Sequence, residues 1–274
     1  MTIEIEGKTI IVTGASSGIG EAAARRLAQL GGKVLLVARR EAELARIKAD
    51  IEAAGGKAWI YPADLSSEAG VDACLDAILA EHPRIDILIN NAGRSIRRTI
   101  RESLDRYHDY QRTMQLNYFA SVRMILRLLP QMLERHDGHI VNVSSMAALI
   151  PTPYYSAYAG SKSALDGFSR SVRAELVDKG VHLTVINFPL VKTAMTAPTK
   201  VYRYLRQMDV DDAADWIVTA IEKRPARLTS QLGKAWGAAA TVFPSTTADW
   251  TGRMFRYMGR RLQKRVEKEG ASET

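Results

Sequence analysis

The chain has 274 residues, 46% hydrophobic and 25% charged, an ordinary globular balance that supports a large core and excludes a disordered chain. Cys74 is the only cysteine, which excludes an internal disulfide and a cysteine-ligated metal centre and fits a reducing compartment. The net charge of +8 favours anionic partners, but no recognition motif or stacking-aromatic pattern accompanies it, so nucleic acid is not expected.

The N-terminus lacks the apolar run of a signal peptide, and the first such run, "TIIVTGA", is too short to span a membrane. From there short β-branched or leucine-rich segments recur: "TIIVT", "KVLLVA", "KAWIY", "IDILIN", "GHIVNVS" and "VHLTVIN". Helical stretches such as "GEAAARRLAQLG", "EAELARIKADIEAAG" and "SALDGFSRSVRAELVDKG" lie between them, each closing on a helix-stopping glycine. Near-continuous apolar strands alternating with helices predict an α/β fold: a doubly wound, Rossmann-type parallel sheet with helices on both faces. No repeat or low-complexity linker interrupts it, so one domain is expected over residues 1–230. A helical C-terminal tail over 231–274, not an independent domain, completes the chain. Ligands of such a sheet sit at the carboxyl ends of the strands.

At the end of the first strand stands "TGASSGIG", with glycines at 14, 18 and 20. This spacing is neither the G-x-G-x-x-G fingerprint nor a P-loop, but the physics is shared. Gly14 permits a tight turn, Gly18 admits a phosphate to the backbone, and Gly20 allows close helix–strand packing. The helix beginning near Gly18 aims its free N–H groups at a pyrophosphate, which makes Ser16, Ser17 and Ile19 cofactor-site candidates as well. The second strand ends "LLVARR", with Ala38 where an NAD site would place a carboxylate, and then Arg39 and Arg40. Guanidinium groups suit the 2′-phosphate of NADP(H), the expected cofactor; the alternative is a pair of solvated loop charges. Asp64 and Leu65 of "PADLS" close the third strand, the carboxylate placed to accept from an adenine amino group. Asn91, Ala92 and Gly93 close the fourth with residues small enough to abut adenosine.

Farther on, "PYYSAYAGSK" places Tyr158 four residues before Lys162, on one helical face and one turn apart. "TGASSGIG", "DLS", "NNAG", Leu116–Asn117, Val143–Ser145 and "YAGSK" together resemble, in order and spacing, the short-chain dehydrogenase/reductase family, over roughly residues 3–195. The resemblance implies hydride transfer between nicotinamide and a carbonyl carbon, with Tyr158, Lys162, Ser145 and Asn117 as the catalytic set. Tyr158 would be the acid, its phenol lowered by the Lys162 ammonium, which also bonds the nicotinamide ribose. Ser145 would hold the developing oxyanion, with Ser144 as the other candidate, and Asn117 would fix a backbone kink and a proton-relay water. Tyr154 and Tyr155 are expected to form pocket wall or core.

"NFPLVKTAM" departs from the family's Asn-Pro-Gly, with Phe188 for the proline and Pro189 for the glycine, which predicts a differently bent loop. Thr193 keeps the place that the family uses against the nicotinamide carboxamide. The stretches "PLVKTAMTAPTKVY", "DDAADWIVTAIEKRPARL" and "NNAGRSIRR" resemble the bacterial fatty acyl-CoA reductases more narrowly. That implies an NADPH-dependent oxidoreductase reducing a long-chain acyl-CoA or fatty aldehyde. A ketone/alcohol dehydrogenase on a 3-oxoacyl, steroid-like or other lipid is the alternative, and a non-catalytic NADP-binding regulator a distant one. Arg94, Arg97 and Arg98, with Tyr155, are candidate substrate contacts; a solvated basic loop is the other reading. Family habit implies a homodimer or tetramer. In the tail, Trp250, Met254, Met258, Leu262 and Val266 recur at steps of four beside Arg253, Arg256, Arg260 and Lys264. Such a stripe can contact a membrane peripherally, another subunit, or the chain's own body. A cytoplasmic location, with or without that membrane contact, is the expectation, and no metal is expected.

Overall fold

The apolar runs pair as one parallel sheet of seven strands in the order β3-β2-β1-β4-β5-β6-β7. These are β1 (Thr9–Thr13), β2 (Lys33–Ala38), β3 (Lys57–Pro62), β4 (Ile87–Asn90), β5 (Gly138–Ser145), β6 (Val181–Phe188) and β7 (Arg227–Thr229). The computed structural model describes residues 4–270, with side chains through Met258 and at Arg261. The chain reverses direction across the sheet between β1 and β4, which opens a crevice at their carboxyl ends. Six strands were expected. The seventh is a three-residue edge strand, too short to carry a periodic signal, that pairs with β6 through Val185–Arg227 to Asn187–Thr229.

Strand side chains alternate between two cores, as period two requires. Val34 and Leu36 of β2 join a cluster with α1 (Gly18–Gln29), α2 (Glu41–Ala53) and α7 (Val210–Lys223). Leu35 and Val37 join the opposite cluster with α3 (Glu68–Glu81) and α5 (Ala120–Glu134). Cys74 packs in this second core, where burial pushes its thiol up to about 12, so it is a packing group rather than a reactive one. Among the described residues no three His, Cys, Asp or Glu side chains are grouped to hold a metal ion.

The remaining helices surround the carboxyl ends. They are α4 (Tyr107–Met114), α6 (Ser156–Glu175), α8 (Gln231–Val242) and α9 (Pro244–Gly270). The tail helices fold back on the body: α9 packs against the 3₁₀ turn Lys200–Tyr204, and the Trp236 and Trp250 rings meet at 4.8 Å across the hairpin. Met254 and Met258 are half-buried beside the buried Thr251, so these two members of the apolar stripe face the chain itself, one of the three expected destinations, while Trp250 is about half exposed. Leu262, Val266, Arg260 and Lys264 lie outside the described side chains. Among the described residues no helix is long and apolar enough to cross a membrane.

Candidate active site

The glycine turn is locked by the neighbouring strand. Thr13 Oγ1 accepts from the Asn91 and Ala92 N–H groups at 2.9 and 3.0 Å, and Asn91 Nδ2 donates to the Thr13 carbonyl at 2.9 Å. Gly14 has φ +66° and lies so close to this clamp that a Cβ would come within 2.9 Å of Ala92 Cα. A Cβ on Gly20 would run into the Gly14 carbonyl. Asn91, expected to abut adenosine, thus grips the turn itself. Helix α1 starts at Gly18, and the Ser17 side chain makes no capping bond, so the first-turn N–H groups point into the crevice without a cap. The turn's small residues, held from behind, form a cradle that fits a pyrophosphate.

At the end of β2, Arg40 lies against this turn, its Nη2 donating to the Ser16 carbonyl at 2.9 Å and to Ser16 Oγ at 3.1 Å. Arg39 is exposed beside it. The Asp64 carboxyl is held below its ordinary range, first by the Ser66 N–H at 3.0 Å and the Ser66 hydroxyl, then by the Arg39 and Arg94 charges. The Asx turn that commonly explains such an aspartate is therefore present, and one cationic flank joins Arg39, Arg94 and the loop. Leu65 is buried behind Asp64. On the far side, Thr193 Cγ2 would stand 3.2 Å from a Cβ on Gly18, so the loop after β6 does reach the glycine turn. Phe188 ends β6 opposite Ser145 and stacks on Trp216 at 5.7 Å, an apolar anchor where the family's proline would stand.

Tyr158 and Lys162 occupy one face of α6. Lys162 is buried and its Nζ donates to the Val143 carbonyl at 2.7 Å; burial lowers its pKa to about 8. The Tyr158 phenol is pushed up, chiefly by burial, and the Ser145 hydroxyl pulls it back. This differs from the expected arrangement. The ammonium is directed at a strand carbonyl rather than at the phenol, and the lowering influence comes from the serine. Pleating sends Ser144 to the opposite side of β5, where its Oγ is buried without a partner, while Ser145 faces the tyrosine. Of the two serines, geometry favours Ser145.

Asn117 is fully buried in a π-helical turn, Gln115–Phe119, between α4 and α5. Such turns widen a helix by one residue and free a backbone carbonyl. The amide accepts from the Arg94 N–H at 2.8 Å and donates to the Arg94 carbonyl and to Ser161 Oγ, both at 2.9 Å. Both amide protons and one lone pair of its oxygen are thus engaged in holding the Arg94 backbone and Ser161. Gly93 abuts both groups, its Cβ position 3.2 Å from Asn117 Oδ1 and 3.6 Å from Lys162 Nζ.

The candidate substrate arginines diverge. Arg94 joins the Asp64 flank, and Arg97 stacks over Tyr154 at 4.9 Å. Arg98 is drawn to the buried Asp109 carboxylate at 3.4 Å, which Arg106 and Arg112 also bind at 3.0 Å, so its charge serves the loop rather than a ligand. Tyr155 is buried beside Tyr158 with ring centroids 6.4 Å apart. The Tyr202 hydroxyl donates to the Tyr155 hydroxyl, a partner the sequence did not single out. Its signal, one more tyrosine in "TKVYRY", was indistinguishable from a packing residue. Ser161, beside Lys162 in "YAGSK", was also missed.

With this geometry in place, comparisons locate the chain among known proteins. Residues 8–202 match the short chain dehydrogenase family. The fatty acyl-CoA reductase of Acinetobacter baylyi is 48% identical over 88% of this chain and 81% of its own. L-sorbose reductase from Gluconobacter frateurii, solved with NADPH and L-sorbose, superposes with a TM-score of 0.75 at 28% identity, covering 82% of this chain and 93% of its own. A short chain dehydrogenase/reductase from Burkholderia phymatum, solved with NAD, gives 0.78 at 25% identity over 88% and 92%. This chain belongs to the short-chain dehydrogenase family and is an oxidoreductase of that kind.

Proposed function

We propose that the protein is an NADPH-dependent reductase of long-chain fatty acyl-CoA or fatty aldehyde. The observation that carries this reading is the convergence of Ser145, Tyr158 and Lys162 beside a glycine cradle whose rim bears Arg39 and Arg40. Because structural relatives have been solved with either NADPH or NAD, cofactor choice rests on that rim. Two guanidinium groups and no carboxylate at the end of β2 favour a 2′-phosphate. The acyl substrate is supported by the likeness to the A. baylyi fatty acyl-CoA reductase.

NADPH, when bound, supplies a hydride to the carbonyl carbon. Gly14, Ser16, Ser17, Gly18, Ile19 and Gly20 would hold its pyrophosphate, Arg39 and Arg40 its 2′-phosphate, Asp64, Leu65, Asn91, Ala92 and Gly93 would line the adenosine, and Thr193 the nicotinamide. Ser145 and Tyr158 bind the substrate oxygen, and the phenol gives it a proton as negative charge develops. Lys162, near 8, is matched to returning that proton from solvent at neutral pH. Reduction of a thioester by one hydride and one proton releases the thiol and leaves the aldehyde. Arg94 and Arg97 are the remaining cations for a CoA phosphate, and Tyr155 a wall of the acyl site. The same reading includes a dimer or tetramer, supported by apolar Phe119 and Leu126, which stand half or more exposed along α5 and the turn before it.

A ketone reductase of identical mechanism is the second reading, favoured by the likeness to L-sorbose reductase. The test is NADPH and NADH oxidation with palmitoyl-CoA, fatty aldehydes and a panel of ketones. Turnover of palmitoyl-CoA or a fatty aldehyde with NADPH is expected; turnover of ketones alone would overturn the first reading.

A further inference from the structure

We propose that the α8–α9 hairpin is a docking surface for an anionic phospholipid bilayer. The outward positions of α8 are Leu232, Ala235, Ala238 and Val242, spaced three or four apart on one face and all exposed. Phe243 continues this stripe at the hairpin bend; Leu232, Val242 and Phe243 are each more than 60% exposed. The outer face of α9 adds Trp250 and Tyr257, both more than half exposed, interleaved with exposed Arg253, Arg256 and Arg261. Single exposed apolar residues are ordinary on a protein surface, but a run of five on one hairpin is not.

Charge selects the occupant. Residues 231–261 contain five basic residues, Lys234, Arg253, Arg256, Arg260 and Arg261, against one acidic residue, Asp249. A second copy seated on this face across a two-fold axis would set arginine against arginine. An anionic bilayer answers both features, because headgroup phosphates take the cations, the apolar bend enters the acyl boundary, and Trp and Tyr rings favour the interface between them. The surface shares Trp250, Arg253 and Arg256 with the amphipathic stripe visible in the sequence, but not its methionines. Met254 and Met258 of that stripe face the body, and the docking face is the one that remains outside. Its inner side touches the walls of the active site, since Gly237 of α8 lies against Leu149 just after Ser145, and α9 against the turn bearing Tyr202. Docking would therefore bring the mouth of the site to the membrane, where long-chain acyl groups reside.

The test is sedimentation of the full chain with vesicles of phosphatidylcholine alone or with roughly one-third phosphatidylglycerol. Binding to the anionic vesicles only is expected, falling at least about ten-fold between about 0.1 and 0.5 M salt. Val242→Glu with Phe243→Glu, and separately Arg253→Glu with Arg256→Glu, should each lower binding about ten-fold or more while the thermal midpoint stays unchanged. Trp250 emission should shift to the blue on anionic vesicles. Equal binding to both vesicle types, no binding, or variants that bind like the parent would overturn the proposal. So would a vesicle-free change in oligomeric state in the Val242/Phe243 variant, which would assign the face to a second copy. Vesicle binding involves no turnover, so it succeeds or fails separately from the acyl-CoA reading.

Discussion

The Asn117 side chain and the Arg94 peptide exchange two hydrogen bonds, at 2.8 and 2.9 Å, inside the protein. A third, to Ser161, ties the same amide to the helix that carries Tyr158 and Lys162. One residue thus sets the distance between the β4 exit and the catalytic helix. Asn117→Ala would leave buried donors and acceptors unpaired and should cost on the order of 2–4 kcal/mol, read from urea denaturation. NADPH oxidation should fall with it, because the Arg94 backbone at the β4 exit loses its support.

Tyr158→Phe keeps the ring and removes the proton. The expected result is a loss of about 10²–10⁴-fold in kcat with NADPH affinity retained, measured by single-turnover kinetics and by cofactor fluorescence.

The two serines at the end of β5 should separate cleanly. Ser145→Ala is expected to lower kcat by about 10²–10³-fold. Ser144→Ala should leave kcat within about two-fold and raise stability by about 1 kcal/mol, because it deletes a buried hydroxyl with no partner.

Lys162 gives a pH signature. Burial lowers its pKa from 10.5 to about 8, so between those values the unfolded chain binds a proton that the folded chain lacks. Stability from this site therefore rises with pH across that window, by up to about 1.4 kcal/mol per pH unit, and the cost of the buried charge is complete below it. Relative to the parent, Lys162→Met should be more favourable in stability near about pH 7 than near about pH 10, compared by denaturation midpoints.

Arg39→Ala and Arg40→Ala should each lower the NADPH to NADH ratio of kcat/KM, together by about 10–100-fold, as expected for charge-assisted bonds to a phosphate. Arg40→Ala should also loosen the Ser16 loop and raise KM for both cofactors, a difference steady-state kinetics can read.

Six of the seven strands, the glycine turn and the Tyr158–Lys162 pair were legible because each is written in contiguous residues: an apolar run, a glycine spacing, a tyrosine one turn before a lysine. Ser145 and Asn117 were read from the family resemblance. What escaped depends on partners distant in the chain. Asn91 holding the Gly14 turn, Tyr202 meeting Tyr155, and Lys162 aimed at Val143 join segments roughly 20 to 80 residues apart, and no local pattern encodes them. Burial was equally invisible. It decides that Arg98 serves Asp109, and that Phe188 is an anchor on Trp216 rather than only a lost proline.

The contact between α9 and the Tyr202 turn bears on synthesis. The nucleotide-binding strands β1 to β4 and their helices are complete within the first 90 residues and can pair as they emerge from the ribosome. The wall that the final helix presses on cannot be finished until residues beyond 244 have followed. The nascent chain would thus assemble its cofactor cradle first and enclose its reaction chamber last.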